Sequence, residues 1–324
     1  MEKLSTRVEY GKALAELGEK HPEIVALDAD LSGSTNTQRF AKVFKDRFFN
    51  IGIAEQDMMG TAAGLAVSGK IPFASTFAIF ATGRGWEQIR QTIAYGNLNV
   101  KIVASHGGIT VGEDGGSHQA IEDLALMRII PNMVVLVPAD GIEVRRMVEW
   151  AITYQGPVYI RTSRIPFPVI YDARYSFTLG KGSVLREGED LCLAGIGLMV
   201  HHCLEAAELL AAEGISARVL NLSSLKPLDW ELVVASAQKT GALVTAEEHL
   251  VTGGLGSAVS EVLAEHYPVP LQRVGIKDVF GISGKPGELL EHFGLMPIDI
   301  RNAARQVLKH KTRRGHPGLY QVMR

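Results

Sequence analysis

The segment 105–119, Ser-His-Gly-Gly-Ile-Thr-Val-Gly-Glu-Asp-Gly-Gly-Ser-His-Gln, crowds two histidines and two acids among five glycines. Core packing does not explain so polar a stretch, and long loops in compact domains commonly carry function. His106 and His118 can grip a hydroxyl or a phosphate, or move a proton near neutral pH. The glycines let the backbone come close to a ligand. Upstream, Glu55 falls where a strand passes into a helix, in Asn50-Ile51-Gly52-Ile53-Ala54-Glu55-Gln56. By itself it is an acid favoured by the helix dipole in a first turn. Phe77 and Phe80 stand three apart in Ser75-Thr76-Phe77-Ala78-Ile79-Phe80. Such a pair either stacks on a planar ring or packs in a core.

These residues need a scaffold, and the apolar pattern supplies one. Runs at 24–27, 47–53, 71–75, 100–105, 133–137 and 158–162 read as strands. Stretches at 5–20, 58–68, 80–95, 120–129 and 141–153 read as helices, with Ser5 and Thr6 able to cap the first. Continuous apolar strands alternating with helices indicate a parallel sheet covered on both faces. Residues 163–186 mix Pro, Arg, Gly and Tyr without a period, as a linker does. A second alternation follows, with strands at 191–194, 217–220, 242–246 and 271–274, and helices at 200–212, 230–237, 255–266 and 298–309. The expected fold class is α/β with two domains, 1–165 and 189–324, joined by a linker at 166–188. Ligands on open parallel sheets bind at the carboxyl ends of strands, so the loops leaving those ends must hold the site. The helix after Glu55 carries Gly60, Ala62, Ala63, Gly64 and Ala66, small enough for another helix or a subunit to approach.

Composition narrows the function. A length of 324 residues suffices for two buried cores. A net charge of -2 gives no electrostatic footprint for nucleic acid or an acidic membrane. No apolar run reaches the ~20 residues needed to cross a bilayer, and Met-Glu-Lys-Leu-Ser-Thr-Arg has no signal-peptide core. Cys192 and Cys203 form no Cys-x-x-Cys pair, and no histidines stand at zinc spacing. The expectation is two packed thiols in a reducing cytoplasm, with no metal held by this chain. The basic run 309–314 reads as a solvated tail after the last helix. Gly253-Gly254-Leu255-Gly256, following Glu247-Glu248-His249, is either an anion-binding turn or a tight structural one.

Taken in order, Gly-Ile-Ala-Glu-Gln at 52–56, Ser-Thr-Phe-x-x-Phe at 75–80 and His-x-x-Ile-x-x-Gly-Glu-Asp-Gly-x-x-His-Gln at 106–119 resemble the transketolases among thiamine-diphosphate enzymes. Each motif alone is weak, but the ordered set over ~70 residues is specific. The resemblance spans the chain and implies a pyrimidine-binding domain followed by a transketolase C-terminal domain. It implies that Glu55 hydrogen-bonds the cofactor's aminopyrimidine and so activates the thiazolium carbon, with Phe77 and Phe80 lining the ring's pocket. It places Asp30, in Asp28-Ala29-Asp30-Leu31, near the cofactor; the local alternative is an acid capping a strand-to-helix turn. It implies that Asp114 binds a donor hydroxyl and that His106 and His118 line the sugar channel and act in catalysis. Arg7, Ser34 and Arg164 would hold the substrate's phosphate, with Arg161 competing for the role of Arg164. The family's third pocket aromatic has no counterpart, since Gly83 and Arg84 stand near its place. Gly107 stands where many full-length transketolases carry an acid. The implied reaction moves a two-carbon ketol unit from a ketose phosphate to an aldose phosphate.

Members of this family bind diphosphate and a divalent metal through Gly-Asp-Gly, followed ~25–30 residues later by Asn. The sequence contains no Gly-Asp-Gly. The expectation is therefore a separate N-terminal transketolase subunit that holds Mg²⁺ and the cofactor's diphosphate. The active site would lie between chains in a cytoplasmic α2β2 assembly that binds sugar phosphates. The alternative is the β subunit of a pyruvate-type 2-oxo acid dehydrogenase, against which the 112–119 loop and the three phosphate-holding positions stand. A non-catalytic scaffold on the same fold would have no use for Glu55 together with that loop.

Overall fold

The structure, a computed structural model, describes residues 2–313. One sheet has the spatial order Ser224–Lys226, Val134–Leu136, Val158–Arg161, Lys101–Ala104, Ile71–Ser75, Ile24–Asp28, Phe48–Asn50. All neighbours run parallel except Ser224–Lys226, which pairs antiparallel with Val134–Leu136. Side chains alternate across a strand, so an all-apolar strand needs cover on both faces. Ile24 and Ala26 pack with Tyr10 and Leu14 of helix Thr6–Lys20 and with Val144 and Met147 of helix Gly141–Thr153. Val25 and Leu27 point the other way, onto Met58, Met59 and Ala62 of helix Glu55–Val67.

The second sheet has the order Leu271–Ile276, Leu243–Leu250, Leu191–Gly195, Ala217–Asn221, Ser183–Arg186. Its first four strands are parallel, and Ser183–Arg186 joins the edge antiparallel. The α/β class is as expected. The two units are interleaved, because Ser224–Lys226 leaves the second to complete the edge of the first.

Several elements differ from their sequence outlines. The helix expected over 80–95 is three pieces, Ala78–Gly83, Trp86–Gln88 and a π-helical turn Ile89–Ala94. Glycine at 83 and 85 weakens the helix there. Gly85 also lies so close to the Glu55 helix that a β-carbon would sit 3.2 Å from Met59 Cγ. The strand expected over 47–53 stops at Asn50, since Gly52 at φ 77° turns the chain into the next helix. The helix expected from 120 begins only at Asp123. Ser5 makes no side-chain cap, and the neighbouring Thr6 hydroxyl instead accepts the Ser163 N–H at 2.9 Å. Segment 166–188 contains strand Phe167–Pro168, paired with Lys3–Leu4, as well as Ser183–Arg186.

The basic run is not a tail. Residues 309–313 belong to helix Pro297–Arg313, and Lys311 Nζ donates to the carbonyls of Asp190 and Thr240 at 2.8 and 2.7 Å. Arg314 lies outside the described residues. Cys192 and Cys203 are free and buried, and burial pushes the Cys192 thiol up to about 12. Among the described residues no helix is long and apolar enough to cross a membrane.

Candidate active site

The parallel strands of the first sheet point the same way, so their carboxyl ends share one edge. Phe48–Asn50 leads to Glu55, Ile24–Asp28 to Asp30 and Ser34, and Ile71–Ser75 to Phe77 and Phe80. Lys101–Ala104 leads to His106 and Val158–Arg161 to Arg164. Arg7 joins them from the first turn of helix Thr6–Lys20. The candidate residues are dispersed in sequence and converge for this topological reason.

Glu55 is the first residue of its helix and only 2% exposed. Its carboxylate takes both its charged contacts from one residue: Arg84 Nη1 lies 3.2 Å from Oε1 and 3.3 Å from Oε2. The same guanidinium sits over the Phe80 ring, 4.5 Å from its centroid. Phe80 stacks on Phe77 with centroids 5.8 Å apart and planes 11° apart. The histidine loop closes the other side. The His106 ring stacks on Phe77 at 3.8 Å, and His118 meets Phe80 edge-on at 5.4 Å. Sequence reasoning missed Arg84. The signal was there, in that an arginine stands where the resemblance wanted a third aromatic.

A polar cluster lies near His106. Arg7 donates through Nη1 to the Ser34 carbonyl at 2.6 Å and through Nε to the Arg164 carbonyl at 3.3 Å. Arg164 Nη1 reaches the Val111 carbonyl, and stands 3.4 Å from Asp114 and 3.7 Å from Glu113. Desolvation lowers the Arg7 pKa, and the Arg164 charge lowers it further. Burial first, then the charges of Arg7, Arg164 and His118, push His106 down to about 3. Its imidazole is therefore neutral at pH 7, with Nδ1 2.8 Å from Ser105 Oγ. Two half-buried guanidiniums beside a neutral imidazole have the chemistry an anion receptor needs.

Arg161 is not part of that receptor. It is 6% exposed, its Nε lies 3.0 Å from Asp123, and Nη2 donates to the carbonyls of Ala120 and Glu248. Burial disfavours its charge, but Asp123 and Glu248 more than offset this, so its pKa is raised. The turn is tied by Asp28 and not by Asp30: Asp28 Oδ1 accepts the Leu31 N–H at 2.5 Å and Oδ2 accepts the hydroxyls of Thr35 and Thr37 at 2.7 and 2.8 Å. Asp30 is left exposed in a left-handed conformation, φ 61°, and accepts from Asn50 Nδ2 at 3.0 Å. The glycine turn at 253–256 is occupied from within, since the N–H groups of Leu255 and Gly256 donate to the Glu247 carboxylate at 2.7 and 2.8 Å. Among the described residues no cluster of His, Cys, Asp and Glu is arranged to hold a metal ion.

On helix Glu55–Val67 the side opposite the core presents Gly60, Gly64 and Val67 to the exterior, with no atom within 4 Å of a β-carbon built at either glycine. The floor of the site thus adjoins a smooth exposed surface.

Residues 2–168 match the family description "Transketolase, pyrimidine binding domain", and residues 180–300 match "Transketolase, C-terminal domain". The chain is 46% identical over 303 residues to a 6-deoxy-6-sulfo-D-fructose transketolase subunit of Clostridium sp. (strain MSTE9), covering 94% of each chain. It is 40% identical to transketolase of Homo sapiens over 95% of its own length, which is 49% of the human protein. A solved structure described as a split gene transketolase, inactive beta4 tetramer, superposes with a TM-score of 0.89 at 56% identity, covering 95% of this chain and 99% of that one.

Proposed function

The chain belongs to the transketolase family, of which it carries the pyrimidine-binding and C-terminal domains, and from that premise we propose that it is one subunit of a split thiamine-diphosphate-dependent transketolase. The reaction is transfer of a two-carbon ketol unit from a ketose phosphate to an aldose phosphate. A partner chain carries Gly-Asp-Gly, Mg²⁺ and the diphosphate, and the two chains assemble as α2β2. The human enzyme, twice as long, and the relatives described as subunits support a division of this kind.

The observation that carries the proposal is the contact set around Glu55. A buried carboxylate beside an aromatic face suits a flat ring bearing N–H donors. The Arg84 guanidinium, itself planar and nitrogen-bearing, meets both surfaces at once. Glu55, Phe77 and Phe80 would hold the aminopyrimidine, with Asp30 at the adjoining turn. When bound, thiamine diphosphate supplies the nucleophilic carbon and the electron sink for carbon–carbon cleavage. Glu55 holds the proton it shares with the ring, sheltered from water by the Phe80 face and the helix it begins. His118 accepts and returns protons at the sugar hydroxyls, His106, held neutral, hydrogen-bonds them, and Asp114 receives a donor hydroxyl. Arg7 and Arg164, with Ser34, bind the phosphate and so fix the chain direction of the sugar. Two arginines facing one another favour a phosphorylated substrate over a short 2-oxo acid.

The test is reconstitution. The chain is mixed with a candidate partner bearing Gly-Asp-Gly, thiamine diphosphate and Mg²⁺, and ketol transfer from a pentulose phosphate is followed. Activity that appears only in the mixture supports the proposal. Comparable activity from this chain alone contradicts it.

A further inference from the structure

The 105–119 loop is held from the C-terminal domain. Glu248, 5% exposed on strand Leu243–Leu250, accepts the Thr110 N–H through Oε1 at 2.6 Å. Thr110 is fully buried and lies in the first turn of the 3₁₀ helix Ile109–Asp114, where backbone donors have no partner within the helix. The carboxylate therefore acts as a cap delivered from 138 residues away. The loop is shaped to receive it. A β-carbon built at Gly108 would collide with the Glu248 carboxylate, and Gly108 has φ 85°, a conformation only glycine adopts freely. Arg161 fastens both sides, donating to the Glu248 carbonyl at 3.0 Å and to the Ala120 carbonyl, at the far end of the loop, at 2.9 Å. A second tie comes from the same domain, where Gln119 Nε2 donates to the Ile282 carbonyl at 2.9 Å.

We infer that Glu248 is a positioning residue for the sugar-binding loop, so that the C-terminal domain sets the placement of His106, Asp114 and His118 through the reach of one side-chain oxygen to the Thr110 N–H. This rests on the transketolase reading for its kinetic consequence, but not for its structural one. Glu248 touches neither the Phe77–Phe80 stack nor Glu55. Its loss acts first on the substrate side of the site, and reaches the cofactor side only through the packing of His106 and His118 on Phe77 and Phe80.

Two substitutions separate reach from charge. Glu248→Asp keeps the negative charge near Arg161 but draws the carboxylate back from Thr110. Glu248→Gln keeps the reach and an accepting oxygen but removes the charge. In the chain itself, Glu248→Asp is expected to speed amide exchange at 109–115 roughly ten-fold, the loss of one buried hydrogen bond, while Glu248→Gln stays within about two-fold of wild type. In the reconstituted complex, Glu248→Asp is expected to raise KM for the ketose phosphate about ten-fold with the cofactor Kd changed by no more than about two-fold, and Glu248→Gln is expected to keep both near wild type. The inference is overturned if Glu248→Gln is the damaging variant, if Glu248→Asp leaves exchange and KM as in wild type, or if cofactor Kd rises as much as donor KM. If the wild-type complex transfers no ketol unit at all, the transketolase reading fails, and the exchange measurement still decides whether Glu248 holds the loop.

Discussion

Arg84 holds both oxygens of the Glu55 carboxylate, at 3.2 and 3.3 Å, while its guanidinium lies 4.5 Å from the centre of the Phe80 ring. Glu55 is almost wholly buried, whereas the Arg84 side chain is 54% exposed, so the arginine can leave and the glutamate cannot. An ion pair with one solvated partner contributes modestly, about 1 kcal/mol or less. That is weak enough to be exchanged for a ligand that desolvates the pocket.

Arg84→Ala is therefore expected to tighten cofactor binding by the complex about two- to five-fold, because a competing occupant of the Glu55 carboxylate is removed. It should also lower the melting temperature of the free chain by a few degrees, since a buried carboxylate loses its cation. Cofactor titration and thermal unfolding measure the two effects. A weakened cofactor affinity would mean that Arg84 contributes to the bound state instead of competing with it.

Arg161 and Arg164 are three residues apart and predict opposite phenotypes. Arg164→Ala removes half of a solvent-reachable anion receptor, so KM for a phosphorylated substrate is expected to rise on the order of ten- to a hundred-fold while stability stays within ~0.5 kcal/mol. Arg161→Ala leaves Asp123 and Glu248 buried without their cation, which costs about 3–5 kcal/mol. Denaturant unfolding together with donor kinetics distinguishes them. Equal behaviour of the two variants would contradict the assignment.

His106 titrates out of the usual range, pushed down to about 3 by burial and by the neighbouring cations. Between about pH 6.5 and 3 the unfolded chain takes up a proton at this imidazole and the folded chain does not. Its contribution to stability is thus complete above pH 6.5 and is lost as the pH falls toward 3. In an NMR titration the His106 ring resonance is expected to stay at its neutral position down to pH 5. His106→Asn should flatten the acid limb of the stability profile. A midpoint near 6.5 in the folded chain would contradict the buried, cation-flanked environment.

The layers and the parallel sheet were legible because the strands at 24–27, 71–75 and 158–162 are each built on an apolar run bounded by turns. So was the convergence of Glu55, Phe77, Phe80 and His106, since Glu55 follows the strand at 48–50, the two phenylalanines that at 71–75 and His106 that at 101–104, all in one parallel sheet. What was not legible depends on distant partners. Nothing local marks Ser224–Lys226 as an edge strand of the other unit, because its pairing energy comes from Val134–Leu136, some ninety residues away. Nothing local separates Arg161 from Arg164 either. The last residue of a strand and the third residue beyond it differ only in what the fold packs over them, here Asp123 and the Glu248 strand. The break in the 80–95 helix was visible as two glycines, but its purpose, bringing Arg84 onto Glu55, needed the three-dimensional contact.

The account turns on Glu55 as the group that shares a proton with the cofactor ring, and Glu55→Gln tests it most directly. The amide preserves size and a hydrogen bond to the ring but cannot hold or release the proton. In the reconstituted complex, turnover with saturating cofactor and ketose phosphate is expected to fall on the order of a hundred-fold or more, with cofactor Kd changed far less. Turnover within about three-fold of wild type would show that this carboxylate does not activate the cofactor, and the mechanism proposed for this chain would be wrong.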